Sequence, residues 1–168
     1  MAEIELDRPH HVTAGYEGEP GERTFYVQAE DAHQRVTLLC EKQQVIGIAE
    51  LLIDLLTRIG DAPAEDWDVQ AMALREPLEP VWRVGDIQLG LDPELGRFMM
   101  ELAELAPDDE EGDVVRFSFD QDQARRLAAH ALESVGQGRP RCELCGRPMA
   151  PDGEHVCPAT NGHGQLSR

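Results

Sequence analysis

Three of the four cysteines fall in one short segment, and this cluster constrains the fold more than any other feature of the sequence. Cys142 and Cys145 form a Cys-x2-Cys pair, and after nine intervening residues His155 and Cys157 form His-x-Cys. Thiolates and an imidazole at this spacing suit a tetrahedral Zn²⁺ site. The segment is rich in Gly and Pro and has few apolar residues, so a metal would be the main source of its order. We therefore predict a zinc-ribbon-like module that binds a single structural Zn²⁺ per chain.

The fourth ligand has two candidates, His155 and His163. We favour His155 because His-x-Cys-Pro closes the site more compactly. Four protein ligands leave no open coordination position, which indicates a structural rather than a catalytic metal. A redox Cys-x-x-Cys motif normally lies at a strand-to-helix joint, whereas this pair follows a Gly/Pro linker, so redox chemistry and chance clustering are the less favoured alternatives.

The charge of the chain limits the classes of partner. The formal net charge is −18, divided into −19 for residues 1–138 and +1 for residues 139–168. A body this acidic repels phosphates, which argues against nucleic acid as a partner. It favours solubility, a basic partner or cations, and the plainest interpretation is a solvated surface. The sequence has neither a long apolar run nor an apolar signal core, so we expect no membrane association and a cytoplasmic location. Metal binding by clustered cysteines agrees with a reducing compartment.

Residue periodicity predicts an α+β fold with a mixed or antiparallel sheet, two helices and a small C-terminal zinc-ribbon-like appendage. We place the boundary between residues 1–138, an acidic α+β domain, and residues 139–168, the zinc-binding tail. Alternating and β-rich stretches predict strands at 3–7, 24–29, 35–40, 69–74, 82–91, 97–105 and 114–119. Apolar residues at helical spacing predict helices at 42–59 and 121–135. Positions 45–59 are so apolar that a second copy of the chain is a candidate to cover them, as a homodimer.

A weak internal repeat accompanies these elements. Val36 to Gln44 aligns with Val115 to Gln123, and in each segment a strand leads into an acid, with Gln three residues further on, at the start of a helix. Such an acid and Gln can form a capping box. The pattern predicts duplicated β-meander-plus-helix halves with both helices on one sheet face; the alternative is that strand–cap–helix joints are alike by chance.

Signals for catalysis are weak. The glycines of residues 15–21 resemble a phosphate-binding loop but lack Gly-Lys-Ser/Thr and a following helix, so we interpret them as a turn. Arg23 and Arg97 each open a predicted strand after such a turn and are candidate anion-binding residues. We expect Cys40 to be packed in the core and His130 to lie in a surface network. No complete catalytic constellation occurs, and we assign no catalytic residue.

Several segments resemble a known family. They are Gly18–Phe25, Glu79–Gly85, Arg139–Gly146 and His155–Gly162. Together they are similar to an uncharacterised family of high-GC Gram-positive bacteria with a C-terminal Cys-x2-Cys…His-x-Cys tail. The resemblance implies a cytoplasmic protein of about this length, whose gene often lies near those of a histidine-phosphatase-like and a lipid-kinase-like protein. It implies no activity and no catalytic residue.

Two functional hypotheses follow. The leading one is a non-enzymatic protein-binding or adaptor module with a structural zinc site. The alternative is an enzyme that acts on a phosphorylated or nucleotide-like substrate in the acidic α+β body, with Arg23 and Arg97 in an anion pocket.

Overall fold

The computed structural model describes residues 2–136, 142–145 and 155–160. Seven strands and two long helices form the body, as the sequence predicts for an α+β fold. In chain order they are β1 Glu3–Leu6, β2 His11–Glu17, β3 Thr24–Glu30, β4 Arg35–Cys40, α1 Lys42–Arg58, β5 Val84–Asp92, β6 Arg97–Glu104, β7 Val114–Phe119 and α2 Gln121–Gly136. A short 3-10 helix, Pro158–Thr160, follows the cysteine cluster.

The body consists of two similar halves, each an antiparallel three-stranded meander that leads into a helix. β2, β3 and β4 form the first sheet, and β5, β6 and β7, joined by β1, form the second sheet in the order β1-β7-β6-β5. The strand registers correspond between the halves, because the row Thr13–Gln28–Thr37 has its counterpart in Gln88–Glu101–Arg116. By the same registers Arg97 corresponds to Thr24 rather than to Arg23, one residue away from the alignment that the sequence predicts.

The two halves are interlocked. β1 of the first half pairs in parallel with β7 of the second. In the same way Arg83, just before β5, makes a parallel bridge with Leu39 in β4. Gln44 at the start of α1 donates to the Val84 carbonyl (3.0 Å), and Gln123 at the start of α2 donates to the Pro9 carbonyl (2.7 Å). Each half therefore forms a hydrogen bond to the backbone at or just before the start of the first long strand of the other half.

Both helices begin with the predicted capping box. Gln44 accepts a hydrogen bond from the Glu41 backbone N–H at 2.8 Å, and the box is closed from both sides. In α2 the Asp120 carboxylate accepts from the Gln123 N–H at 2.8 Å, and the Gln123 side chain accepts from the Asp120 N–H at 3.0 Å. These bonds satisfy backbone donors that have no partner inside the helix, and so fix where each helix begins.

One hydrophobic core joins the two sheets and both helices. Alternate strand residues, such as Val27 and Leu38 in the first sheet and Phe98 and Phe119 in the second, point into it. α1 packs against α2 and β5, and its apolar side is therefore largely covered within the chain. Leu51 on α1 is still 43% exposed. The homodimer through residues 45–59 stays a prediction.

Two local predictions are wrong. Residues 69–74 form turns instead of a strand, and Gly15 lies within β2 instead of in a turn. Both errors have one cause, because the segment after α1 folds over the first sheet and presses Leu74 against Gly15. Of the three glycines in residues 15–21, only Gly18 and Gly21 have a positive φ, of 100° and 93°, as a turn requires. The single sheet with both helices on one face is also wrong, since the strands divide into two sheets.

Among the described residues, neither helix has the length and apolar character needed to cross a membrane.

Candidate metal centre

The structure brings four of the predicted ligands together. Cys142 to Cys145 form a tight turn, and His155 and Cys157 flank Val156 before the 3-10 helix. The backbone N–H groups of Cys145 and Leu144 point at the Cys142 sulfur and lower the pKa of that thiol. This is the knuckle that a Cys-x2-Cys pair forms around a metal, in which backbone dipoles stabilise the thiolate.

The distances between the donor atoms suit a small tetrahedral ion. All four ligand atoms lie within 4.8 Å of one another. The Cys142 and Cys157 sulfurs are 3.6 Å apart, and the Cys145 sulfur is 3.1 Å from His155 Nε2. Tetrahedral Zn²⁺ with bonds of about 2.3 Å to sulfur and about 2.0 Å to nitrogen separates its ligands by roughly 3.5–3.8 Å. The four residues therefore fit a metal of this size and geometry.

Burial favours a cation at this cluster. Cys142 and Cys157 are buried, and desolvation raises the pKa of Cys157. The three thiols within 4.8 Å cannot all ionise without a compensating charge, which a divalent cation would supply. Four protein donors then fill the coordination sphere. His163, the alternative fourth ligand, lies outside the described residues.

The body and the cysteine cluster are parts of one family pattern. Residues 4–157 match the family described as protein of unknown function (DUF3090). The chain belongs to this family. The matched range includes β1 through α2 and all four metal-site residues, so the cluster is part of the family pattern rather than an addition to it. No curated protein and no solved structure matches the chain.

The two predicted anion-binding arginines occupy different surroundings. The Arg23 guanidinium lies 4.0 Å from the Tyr16 ring centroid. Its Nε and Nη1 atoms are buried and have no hydrogen-bond partner among the described residues. Arg97 donates to the Ser118 hydroxyl at 3.0 Å and to its carbonyl at 2.9 Å. Neither arginine lines the two cavities described below, and the anion pocket stays a prediction.

His130 was predicted at the surface and is buried instead. Its Nδ1 accepts a hydrogen bond from the Trp67 indole N–H at 3.3 Å, and burial lowers its pKa. With Glu133 and Ser134 it lines a cavity of about 340 Å³ between α2, β2 and residues 69–78. Nothing local in the sequence indicates this, because Trp67 arrives from a connector 63 residues away. Cys40 is buried in the core, which confirms the expectation. This burial raises the pKa of its thiol to about 12.

A second cavity lies on the second sheet. It has a volume of about 690 Å³ and is open to solvent. Its lining comes from β1, β5, β6 and β7 and includes Glu5, Gln88, Gly90, Met99, Glu101 and Arg116. We call it the sheet cleft.

Proposed function

We propose that this protein is a non-enzymatic, cytoplasmic adaptor whose C-terminal segment, held by one structural Zn²⁺, contacts a protein partner. The observation that supports this most directly is the set of four donors within 4.8 Å. Three sulfurs and one imidazole favour Zn²⁺ over the harder ions Mg²⁺ and Ca²⁺, and a filled coordination sphere leaves no place for substrate.

The surface of the module is suited to contact with another protein. Leu144 is 60% exposed and Val156 is 70% exposed, each beside a ligand in the chain. Burial of such exposed apolar side chains against a partner would favour association. The charge of residues 139–168 is +1 against −19 for the rest of the chain. The module can therefore approach partners that the acidic body repels.

The metal is tested on protein purified under reducing conditions without added chelator. We expect about one zinc per chain, and loss of zinc from Cys142→Ser and Cys157→Ser. His155→Ala should lose zinc, whereas His163→Ala should keep it; the reverse result would assign the fourth ligand to His163.

A thiol count gives an independent readout of the same site. In the zinc-loaded native protein we expect the thiols of Cys142, Cys145 and Cys157 to be protected from a thiol-reactive reagent. After chelation of the metal we expect all three thiols to react. Cys40 is buried and the high pKa of its thiol disfavours the thiolate, so it should react only on unfolding. Cys40→Ala serves as the control that identifies this last thiol. A metal-free protein in which all three module thiols are protected would contradict the zinc site.

Partner contact is tested by comparing proteins captured by the wild type and by the double variant Leu144→Asp/Val156→Asp. A partner that binds through the module should be lost from the double variant while its zinc content is unchanged. Leu95→Asp is the matched control, because Leu95 is also exposed but lies in the turn between β5 and β6. A partner retained by the double variant binds elsewhere, and the adaptor role of the module would then be wrong.

A further inference from the structure

The outer face of the first sheet is covered by the segment that follows its helix. Thr13 donates to the Met72 carbonyl at 2.5 Å. The Gln28 side chain accepts from the Arg75 N–H at 2.8 Å and donates to its carbonyl at 3.0 Å. Leu74 lies against Gly15, with its Cγ only 3.1 Å from the place of a Cβ. These contacts make an otherwise polar sheet face part of the interior.

The equivalent face of the second sheet is open. Gln88 and Glu101 stand where Thr13 and Gln28 stand in the first sheet, and Gly90 stands where Gly15 does. A Cβ built on Gly90 would meet no described atom within 4 Å. Its cross-strand partner Met99 is 52% exposed. The sheet cleft is this open face.

The position of the zinc module in the chain matches the position of the covering segment. When Gln44 is aligned with Gln123, residues 63–78, which cover the first sheet, align with residues 142–157. The helix surface that the covering segment crosses before it reaches the first sheet also has an equivalent beside the second sheet. Trp67 covers His130 on α2, and the residue equivalent to His130 on α1 is Leu51, which is 43% exposed.

The sheet cleft and the C-terminal segment are complementary in charge and in apolar surface. Glu5, Asp7 and Glu101 line the sheet cleft and outnumber its one cation, Arg116. Residues 139–168 carry a charge of +1, with four arginines. The exposed Leu144 and Val156 of the module can cover Met99 and the open side of Gly90. Burial of such apolar surface at a cleft supplies the driving force for docking.

We propose that the sheet cleft is the docking surface of the chain's own zinc module. The C-terminal segment would cover the second sheet as residues 63–78 cover the first. The inference rests on the metal-ordered module of the proposed function and adds its place on the body. A module docked in this way has Leu144 and Val156 occupied, so an outside partner must displace it from the sheet cleft.

Photo-crosslinking in the full-length, zinc-loaded protein tests this docking. A benzoylphenylalanine replaces Met99 in one variant and Gln88 in a second, so that a folding defect in one does not decide the result. We expect crosslinks to peptides from residues 142–160 of the same chain, and their loss in Leu144→Asp/Val156→Asp. Val81 is the matched control position, because it is 55% exposed but lies beside the first sheet.

Each outcome is decisive when zinc is measured on the same sample. A zinc-loaded protein that gives no crosslink to residues 142–160 from either position overturns the docking and leaves the zinc site intact. Absence of zinc indicates instead that the proposed function has failed. Mixing isotopically light and heavy chains separates crosslinks within a chain from those between chains, and crosslinks only between chains would assign the cleft to a second copy.

Discussion

His11 has the most strongly perturbed environment of the described histidines. It lies buried in β2, opposite Glu30 in β3, and its Nε2 has no hydrogen-bond partner among the described residues. Burial, and after it the charge of Arg75, lowers its pKa to about 4 from the usual 6.5. The side chain is therefore neutral at neutral pH, and its protonation is coupled to unfolding.

This coupling predicts a pH dependence of stability. Between pH 6.5 and about 4 the unfolded state binds a proton that the folded state does not, so the free energy of unfolding falls as the pH falls. A pKa difference of this size corresponds to at most about 3.4 kcal/mol. In His11→Gln this loss should be absent, which urea titrations at several pH values can measure against the wild type. Carboxylates and zinc ligands are the same in both proteins, so identical pH slopes would contradict the prediction.

At the scale of single elements, the two capping glutamines each connect a helix to the other half of the body. Gln44 and Gln123 each cap their own helix and bind the backbone of the other half. The capping role follows from the spacing of acid and Gln. The second bond could not be predicted, because Val84 and Pro9 are distant in sequence and only the tertiary fold brings them near.

We expect Gln44→Ala and Gln123→Ala each to lower the free energy of unfolding by about 1–2 kcal/mol, since each loses a cap and a cross-half hydrogen bond. The neighbouring Gln43 is exposed and makes no such bond among the described residues, so Gln43→Ala should change stability by no more than about 0.5 kcal/mol. Urea denaturation measures all three. Equal stability of Gln44→Ala and Gln43→Ala would show that the cap and the cross-half bond together contribute nothing.

The features that could be predicted from the sequence are those that depend on residues close together in the chain. Cys142, Cys145, His155 and Cys157 were identified because metal ligands recur at short spacings, and both helices because their apolar periods are strong. β2 was missed for the opposite reason. Its buried core-facing residues include only the small Val12 and Ala14, and Thr13 and Gly15 on its other face are buried because a segment about sixty residues later covers them. When a strand is buried by a segment that is distant in the sequence, its own residues need not show a periodic pattern of apolar side chains.

For the whole molecule, charge is the dominant property. Residues 1–138 carry −19, and among the described residues only six of their acids pair with an arginine: Glu3, Glu30, Glu41, Asp54, Asp61 and Glu101. Pairs at a surface of this kind contribute little individually. Repulsion over the body therefore outweighs them and lowers the stability of the compact state.

Salt should therefore stabilise the protein. Raising sodium chloride from about 0.01 M to about 0.15 M shortens the Debye length from roughly 30 Å to roughly 8 Å, and we expect a higher Tm in thermal melts. Asp109→Lys/Glu110→Lys, in the exposed loop before β7, makes the net charge less negative and should show a smaller response. A Tm that falls as salt is added would mean that attractive pairs dominate.

The parallel pairing of β1 with β7 has a consequence for synthesis. Ala2 and Asp113, which are hydrogen-bonded at this junction, are separated by 111 positions. Ribosomes add roughly 5–20 residues per second, so the first strand waits on the order of 5–20 s before its neighbour exists. Meanwhile Gln44 has no Val84 carbonyl to bind. The nascent chain thus cannot complete either half by itself, and it acquires its native form only when the second meander has left the ribosome.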